Sequence, residues 1–360
     1  MDNLQTRITD LLEKGVRDGV YPGAVLLVAK KGQVIFFKEA GSRSIIPRVL
    51  PMKMDTIFDL ASLTKPLATT MAVMRLVNDN RITLDETLSD IITTYPLGDK
   101  RDLTLRSILC HCAGFRDWMP FYQKLVKIRT DERKKALRKL IIEEPLSCTQ
   151  GTDCVYSDLG FMILEWVVEK VSGETLRDFI EKMFYNPLGL KRSFLGKETL
   201  PFEREDFAAT EDCPWRRRVL QGEVHDENAY AAGGYSGHAG LFGTAEEIFI
   251  IANMLREHYL GKRSDYFSPG VIGEFFKRQD LVKGCTYALG WDTPSANNSS
   301  AGRYISSNSV GHLGFTGTSL WMDLEKDVLI IFLSNRIHPS RDNLKIKTFR
   351  PILHDLIFNE

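Results

Sequence analysis

Apolar residues recur at helical spacing at the start of the chain, and they alternate with polar residues at strand spacing soon after. Leu4, Ile8, Leu11, Leu12 and Val16 are three or four residues apart with charged residues between them, which predicts an amphipathic helix. Residues 24–30 and 33–39 are rich in Val, Ile, Leu and Phe and flank Lys-Gly. We therefore predict a helix followed by a β-hairpin.

The middle of the chain has helical periodicity, and the last third returns to strands. Helical patterns cover residues 105–110, 131–143, 159–171, 176–184 and 246–255. Residues 319–322 and 328–333 flank a polar turn and predict a second hairpin. A final helix is predicted from about Pro351, a favoured first-turn residue, to Phe358.

Hairpins near both ends with helices between them indicate an α+β fold. We predict one antiparallel sheet that is built from both termini and flanked by the N- and C-terminal helices. A mainly helical domain is inserted into it. The predicted sheet domain comprises residues 1–61 and 248–360, and the helical domain comprises residues 62–247.

The composition is that of an ordinary globular protein of one or two domains. The 360 residues are 43% hydrophobic and 26% charged, with 47 basic and 47 acidic side chains. This balance gives no reason to expect nucleic acid as a partner. No apolar stretch is long enough to span a membrane, and the N-terminus does not resemble a signal peptide. We therefore expect a cytoplasmic protein. The sequence contains no heptad pattern, so it does not predict an oligomeric state.

The cysteines give no sign of a disulfide framework or a metal site. They are Cys110, Cys112, Cys148, Cys154, Cys213 and Cys285. None forms a Cys-x-x-Cys pair, and the irregular spacing favours free buried thiols in a reducing compartment. Cys110-His111-Cys112 resembles a metal cluster, but side chains two residues apart do not converge on a helix. We predict neither a metal nor a cofactor.

Ser62-Leu63-Thr64-Lys65 is the only Ser-x-x-Lys in the chain, and it has the chemistry of an activated nucleophile. On a helix, residues three apart share a face, so the amine of Lys65 can reach the hydroxyl of Ser62. Pro66 would clash with the carbonyl of Ser62 deep in a helix, so Ser62 lies at the N-terminus or in the first turn. The unpaired N–H groups there suit a developing oxyanion. The alternative is that Ser62 is only a helix cap.

Two further motifs follow Ser62 and Lys65. Tyr156-Ser157-Asp158 precedes an apolar helix, so a phenol could face a cleft there; a buried tyrosine beside an aspartate cap is the alternative. Residues 311–317, Gly-His-Leu-Gly-Phe-Thr-Gly, precede the second hairpin. Their glycines allow another backbone or a substrate to approach a strand closely. The alternative is a bulged edge strand in which His312 is a packed histidine.

Taken together, Ser62-x-x-Lys65, Tyr156-x-Asp158 and His312-x-Gly314 resemble the three motifs of the penicillin-recognising serine hydrolases. The branch with the strongest likeness comprises class C β-lactamases, D-alanyl-D-alanine carboxypeptidases of that type and β-lactamase-like esterases. The local contexts at residues 109–114 and 238–242 agree with that branch, and the likeness extends over about residues 4–358.

The resemblance implies an active site between the two domains. Ser62 would be the acylated nucleophile, and Lys65 and Tyr156 would share the general-base role. Tyr156 would also protonate the leaving group. The backbone N–H groups of Ser62 and Phe315 would form the oxyanion hole. His312 would replace the lysine of β-lactamases, next to Gly314 on the substrate side. The implied partner is a small ester, amide or peptide substrate.

Two departures from the family pattern change the expected substrate. Asp158 stands where many relatives have asparagine, so it accepts hydrogen bonds only and favours a charged Lys65. His312 would be a weaker, pH-dependent cation than lysine. Ester hydrolysis needs fewer polar substrate contacts, so we rank an esterase on small esters or amides first. A D-amino-acid carboxypeptidase, amidase or β-lactamase is the alternative, followed by a non-catalytic penicillin-binding-like sensor.

Overall fold

Six antiparallel strands form the main sheet of the computed structural model, which describes residues 2–196 and 202–358. The strands in chain order are β1 Gly23–Lys30, β2 Gln33–Ser44, β3 Leu50–Pro51, β4 Phe58–Asp59, β5 Phe194–Leu195, β6 Asp212–Cys213, β7 Arg218–Val219, β8 Leu241–Gly243, β9 Ser309–Leu313, β10 Ser319–Asp323 and β11 Val328–Ser334. The main sheet has the order β3-β2-β1-β11-β10-β9. Strands from the two ends of the chain therefore meet at its centre, as predicted.

The first and last helices cover one face of this sheet, and the other helices lie in the chain between β4 and β9. They are α1 Asp2–Arg17, α2 Met71–Asn78, α3 Leu88–Ile91, α4 Leu105–Leu109, α5 Tyr122–Leu125, α6 Arg133–Glu143, α7 Asp158–Ser172, α8 Leu176–Ile180, α9 Glu227–Ala231, α10 Ala245–Tyr259, α11 Pro269–Phe276 and α12 Ile346–Phe358. The predicted α+β class and the helical insertion are confirmed. The domain boundaries at residues 61/62 and 247/248 stay a prediction.

The central strands are buried on both faces, which explains their continuous apolar runs. In β1, Val25 and Leu27 pack into the large core shared with the helical region. Their neighbours Leu26 and Val28 point to the opposite face, where the apolar stripes of α1 and α12 cover them. One face of the sheet therefore packs against the two terminal helices, and the other face packs against the helical core.

The final helix is longer than predicted. It begins at Ile346, and Pro351 lies inside it rather than in its first turn. Ile346, Phe349 and Leu353 form a buried stripe at helical spacing against the sheet. Burial of this stripe stabilises the extra turns, although proline removes one backbone hydrogen bond within the helix.

Two small sheets were not predicted. A three-stranded sheet has the order β4-β8-β5, and β6 pairs with β7. Each of these strands has two or three residues, which is too short for a period of two to be visible in the sequence. Strand β4 of the three-stranded sheet ends just before Ser62, and its pairing with β8 supports the segment that carries Ser62.

Two of the six cysteines do not fit the prediction of free thiols. Cys154 and Cys285 form a disulfide, whereas Cys110, Cys112, Cys148 and Cys213 are free. The bonded pair is 131 residues apart in sequence, so only the folded chain brings the two sulfurs together. Spacing alone does not give connectivity.

Within the described residues, no helix is long and apolar enough to cross a membrane.

Candidate active site

The chain makes a tight bend immediately before Ser62. Ala61 has a φ of 47°, in the left-handed region that residues with a Cβ rarely adopt. The buried Asp59 carboxylate holds this bend by accepting a hydrogen bond of 2.9 Å from the Ala61 N–H. Ser62 then lies in a 3₁₀ turn, Ala61–Leu63, which leads into a π-helical segment, Lys65–Thr70, and α2. Ser62 therefore lies in the first turn, as Pro66 predicted.

Lys65 is fully buried and contacts Ser62 of its own motif as well as Tyr156 and Asp158 of the second motif. Its Nζ lies 3.0 Å from Ser62 Oγ and 2.6 Å from Asp158 Oδ1. It also lies 4.6 Å from the ring centroid of Tyr156. Both Lys65 and Ser62 act on the Tyr156 phenol and oppose the rise of its pKa. The structure thus brings Ser62, Lys65, Tyr156 and Asp158 together, although 93 residues separate Lys65 from Asp158.

The beginning of α7 positions Tyr156 and Asp158. Ser157 is the helix cap, and its side chain accepts from the N–H of Gly160. The N–H of Ser157 donates to Nδ1 of the buried His111 at 3.0 Å, and the His111 ring lies 4.6 Å from that of Tyr156. Burial, together with the Lys65 charge, lowers the pKa of His111 well below its usual value, so this ring is a neutral support.

The surroundings of Lys65 and Tyr156 favour the protonated form of both side chains. Burial alone would lower the pKa of Lys65, but attraction to Asp158 and Tyr156 outweighs burial and raises it. Burial raises the pKa of Tyr156, and the Lys65 charge opposes this only partly. The resting site therefore contains an ammonium on Lys65 and a neutral phenol on Tyr156.

The third motif is an edge strand held against the Ser62 segment. β9 pairs with β10, with His312 opposite Leu320. After β9, Thr316 Oγ1 and Thr318 Oγ1 donate to the carbonyls of Asp59 and Leu60 at 2.7 and 3.1 Å. A Cβ on Gly314 would lie 2.5 Å from the Leu60 carbonyl oxygen, so only glycine allows this approach.

His312 is not the pH-dependent cation that the sequence predicted. Burial and the nearby Lys65 charge lower its pKa to about 3, so the ring is neutral at physiological pH. One ring nitrogen, Nδ1, lies 2.9 Å from the carbonyl oxygen of Leu313. The prediction failed because sequence does not show how deeply a residue is buried. His312 faces the site as a neutral hydrogen-bonding group 5.9 Å from the Tyr156 ring.

A second histidine, His238, was not among the predicted site residues and is paired with a carboxylate. His238 Nε2 lies 2.9 Å from Asp226 Oδ1, and the His238 carbonyl oxygen lies 3.5 Å from Lys65 Nζ. Burial would lower the pKa of His238, but attraction to Asp226 and Asp158 raises it. Burial would raise the pKa of Asp226, but His238 lowers it strongly. The glycine-rich segment around His238 was visible in the sequence, whereas its pairing with Asp226 was not.

These groups surround one cavity of about 620 Å³. Its lining includes Ser62, Trp118, Tyr156, Asp158, Asp226, His238, Tyr287, Asp292, His312, Gly314, Phe315, Arg336, Arg341 and Arg350. Trp118 lines the cavity, whereas the nearby aromatic residues Phe115, Phe121 and Trp291 are in the core and Tyr122 packs on Trp215. Sequence inspection also missed the three arginines, which have no local motif.

Two groups of side chains have metal-ligand chemistry in the described part of the chain. Cys112, Cys154 and Cys285 offer sulfurs within 4.8 Å of one another, but two of them share the disulfide. Asp158, Asp226 and His238 are equally close. In that group, Lys65 already occupies Asp158 and His238 occupies Asp226. A cation would have to displace these partners.

Comparison with known proteins gives matches over most of the chain. A family model described as Beta-lactamase matches residues 8–351. The chain is 31% identical to "N-acetylmuramyl-L-alanine amidase" of Bacillus subtilis (strain 168), covering 92% of this chain and 81% of that protein. It is 29% identical to "Putative D-alanyl-D-alanine carboxypeptidase" of Salmonella agona (strain SL483), covering 91% and 82%.

Two solved structures share the fold. EstCE1, described as a hydrolase with promiscuous acyltransferase activity, is 21% identical with a TM-score of 0.75, covering 97% of this chain and 99% of that chain. An octameric penicillin-binding protein homologue from Pyrococcus abyssi is 20% identical with a TM-score of 0.72, covering 97% and 77%.

Proposed function

This chain belongs to the Beta-lactamase family, whose members are serine hydrolases, and we propose that it hydrolyses amides through an acyl-enzyme on Ser62. We propose further that the leaving group is an amino acid with a free carboxylate. One observation carries this choice: two guanidinium groups that have no carboxylate partner among the described residues line the cavity that contains Ser62.

These two guanidinium groups belong to Arg336 and Arg350, which bind only backbone carbonyls in the described chain. Arg336 donates to the backbone carbonyls of Phe315, Arg341 and Asn343 at 2.6 to 3.0 Å. Arg350 is 4% exposed, and its one hydrogen bond within the described chain reaches the Thr318 carbonyl at 3.5 Å.

Arg350 has a further reason to attract an anion. Burial and the neighbouring Arg336 lower the pKa of Arg350 to about 10, which indicates a charge that lacks compensation. By contrast, Arg341 is already paired with Glu211 and Glu227 at 2.6 and 2.7 Å. A substrate carboxylate would supply the missing charge to Arg336 and Arg350 through charge-assisted hydrogen bonds.

The relatives' names agree with this leaving group. N-acetylmuramyl-L-alanine and D-alanyl-D-alanine each contain an amide whose nitrogen belongs to an alanine. Hydrolysis of that amide releases an alanine whose carboxylate is one carbon from the scissile nitrogen. This distance suits a cleft in which the nucleophile and a cationic wall line the same cavity.

The proposed reaction has two steps. In the first, neutral Lys65, with Tyr156, takes the proton of Ser62 while Ser62 Oγ attacks the amide carbonyl carbon. The backbone N–H groups of Ser62 and Phe315 stabilise the oxyanion. Tyr156 protonates the departing nitrogen as the carbon–nitrogen bond breaks. In the second step, water attacks the acyl-enzyme, and its proton passes to the same base before Ser62 is restored.

The resting charge of Lys65 makes a prediction about this mechanism. An ammonium cannot accept the serine proton, so Lys65 must first lose its extra proton. Because attraction to Asp158 raises the pKa of Lys65, the fraction of active enzyme rises with pH. We expect kcat/KM to increase as the pH rises through neutrality.

Ester hydrolysis, which the sequence ranked first, becomes the second candidate. Asp158 favours it, because its carboxylate is occupied by Lys65 and cannot donate to a substrate amide carbonyl. An ester needs less help at the leaving group, since an alkoxide leaves more readily than an amine anion.

The deciding experiment compares four substrates with wild type and Ser62→Ala. They are N-acetylmuramyl-L-alanine, N-acetyl-D-alanyl-D-alanine, the carboxamide of the better of these two, and p-nitrophenyl butyrate. We expect the enzyme to hydrolyse the free acid, which releases alanine, at least about tenfold faster than the carboxamide, which releases alaninamide. The carboxamide lacks the charge-assisted hydrogen bond, and both reactions should require Ser62. Rapid turnover of the butyrate alone would favour the esterase. Turnover that survives Ser62→Ala would contradict both.

A further inference from the structure

We propose that His238 and Asp226 form a charged pair that tunes Lys65: the His238 imidazolium counteracts Asp158, so Lys65 releases its proton more readily than it would beside Asp158 alone. This inference rests on the proposed function, because it concerns the base of that reaction. It makes His238 a positioning residue that acts through Asp158 and Lys65. It also explains how the site tolerates an aspartate at position 158.

The geometry places alternating charges in one line of contacts. Lys65 Nζ lies 2.6 Å from Asp158 Oδ1, and the ligand atoms of Asp158, Asp226 and His238 lie within 4.8 Å of one another. His238 Nε2 lies 2.9 Å from Asp226. The order of charges is therefore Lys65 positive, Asp158 negative, His238 positive and Asp226 negative. All four side chains are buried or partly buried, so water screens them weakly.

The burial of the His238 ring needs a compensating interaction. Its side chain is 1% exposed, and its Nδ1 is buried without a hydrogen-bond partner in the described chain. A buried imidazole with an unsatisfied nitrogen is costly unless something compensates it. The Asp226 carboxylate at 2.9 Å and the Asp158 carboxylate within 4.8 Å provide that compensation, and both raise the pKa of the ring.

The charged groups around His238 come from three neighbouring elements. Asp226 is the cap of α9, Asp158 begins α7, and Lys65 begins the π-helical segment. Glu165 of α7 binds the neighbouring Gly237 N–H and Ser236, but its charge is paired with Lys134. Asp158 and Asp226 attract the His238 proton, and Lys65 repels it.

The consequence for Lys65 follows from repulsion between like charges. Asp158 alone would hold the Lys65 proton tightly. A second cation on the other side of Asp158 shares that carboxylate and disfavours the ammonium of Lys65. Removing the His238 charge should therefore raise the pKa of Lys65, and the acidic limb of kcat/KM should move to higher pH by about one unit.

The first measurement is the pH profile of kcat/KM on the substrate identified above. His238→Asn removes the charge but keeps the backbone carbonyl that faces Lys65. Asp226→Asn keeps the histidine and the helix cap but weakens the pull on its proton. Both variants should move the acidic limb upward, the first by about one pH unit and the second by less. In an Asp158→Asn background, His238→Asn should move it by less, because Asp158 no longer helps to raise the pKa of His238.

His312→Gln is the matched control. It changes the other buried histidine of the same cavity, which is neutral, and should leave the position of the acidic limb unchanged even where the rate falls. A uniform loss of rate in His238→Asn with an unmoved limb would mean that His238 is only structural. A limb that moves equally in both histidine variants would also overturn the proposal.

An activity-independent measurement separates this proposal from the proposed function. NMR of the full-length protein labelled at histidine and lysine side chains gives both protonation states directly. We expect His238 to remain charged at pH 7.5, His312 to be neutral, and the Lys65 pKa to rise in His238→Asn. A neutral His238 at pH 7.5, or an unchanged Lys65, would overturn the charged pair. The expected titration without any hydrolysis would contradict the proposed function alone.

Discussion

The cavity has two walls, which differ in whether their cationic side chains are paired with carboxylates. The proton wall comprises Ser62, Lys65, Tyr156, Asp158, Asp226 and His238. The strand wall comprises His312, Gly314, Phe315, Arg336 and Arg350.

On the proton wall, each cation touches a carboxylate. On the strand wall, the histidine is neutral and the two arginines have no carboxylate in the described chain. Paired charges hold protons in defined places, whereas unpaired cations leave attraction available for a ligand. We therefore expect changes on the proton wall to alter kcat and its pH dependence. Changes on the strand wall should alter KM.

The largest effect should come from Ser62→Ala on the proton wall. Loss of the nucleophile removes the acyl-enzyme route, so kcat should fall by about 10⁴-fold or more. Wild type should also form an adduct with an acylating inhibitor by intact mass, and the variant should not. Ser264→Ala, at an exposed loop serine, is the control and should retain wild-type turnover. Residual activity above a few per cent in Ser62→Ala would exclude this nucleophile.

Tyr156→Phe tests the proton transfer on the same wall. Removal of the hydroxyl should lower kcat by about 10²- to 10³-fold with little change in KM, the range for general acid–base groups. Tyr287 is the matched control, since its ring lies 6.2 Å from that of Tyr156 and lines the same cavity. Tyr287→Phe should cost less than about tenfold. Equal losses in the two variants would assign Tyr156 a packing role.

Arg350→Gln tests the strand wall. The variant should raise KM for a free-acid substrate by about tenfold, because one charge-assisted hydrogen bond is lost. Its kcat should change little. The carboxamide of the same substrate is the internal control, and its KM should be the same for wild type and variant. If both substrates lose affinity equally, Arg350 supports the fold rather than the carboxylate.

Asp158→Asn should give the smallest change in activity. It should move the acidic limb of kcat/KM in the direction opposite to that expected for His238→Asn. Without the carboxylate, burial dominates and the pKa of Lys65 falls. The acidic limb of kcat/KM should then move to lower pH by about one unit, so activity at acidic pH rises relative to the plateau. A limb that stays in place would show that a group other than Lys65 must lose the proton.

Local patterns in the sequence were sufficient for the main elements and for the place of Ser62 at the start of a helix. The spacing of Leu4, Ile8 and Leu12 predicts α1, and the two hairpin patterns predict the strands that form the sheet centre. Pro66 limits where Ser62 can lie, because a proline excludes helical structure before it. These features depend on neighbours within a few residues, so a single chain displays them.

The tertiary structure decided the chemistry of the cavity. Which histidine carries charge depends on burial and on carboxylates distant in sequence: His312 is neutral, whereas His238 lies beside Asp226 and Asp158. The same holds for the disulfide between Cys154 and Cys285 and for the free guanidinium of Arg350. Sequence periodicity records which face of an element is apolar, but pKa values follow from distance and dielectric, and these exist only once the chain is folded.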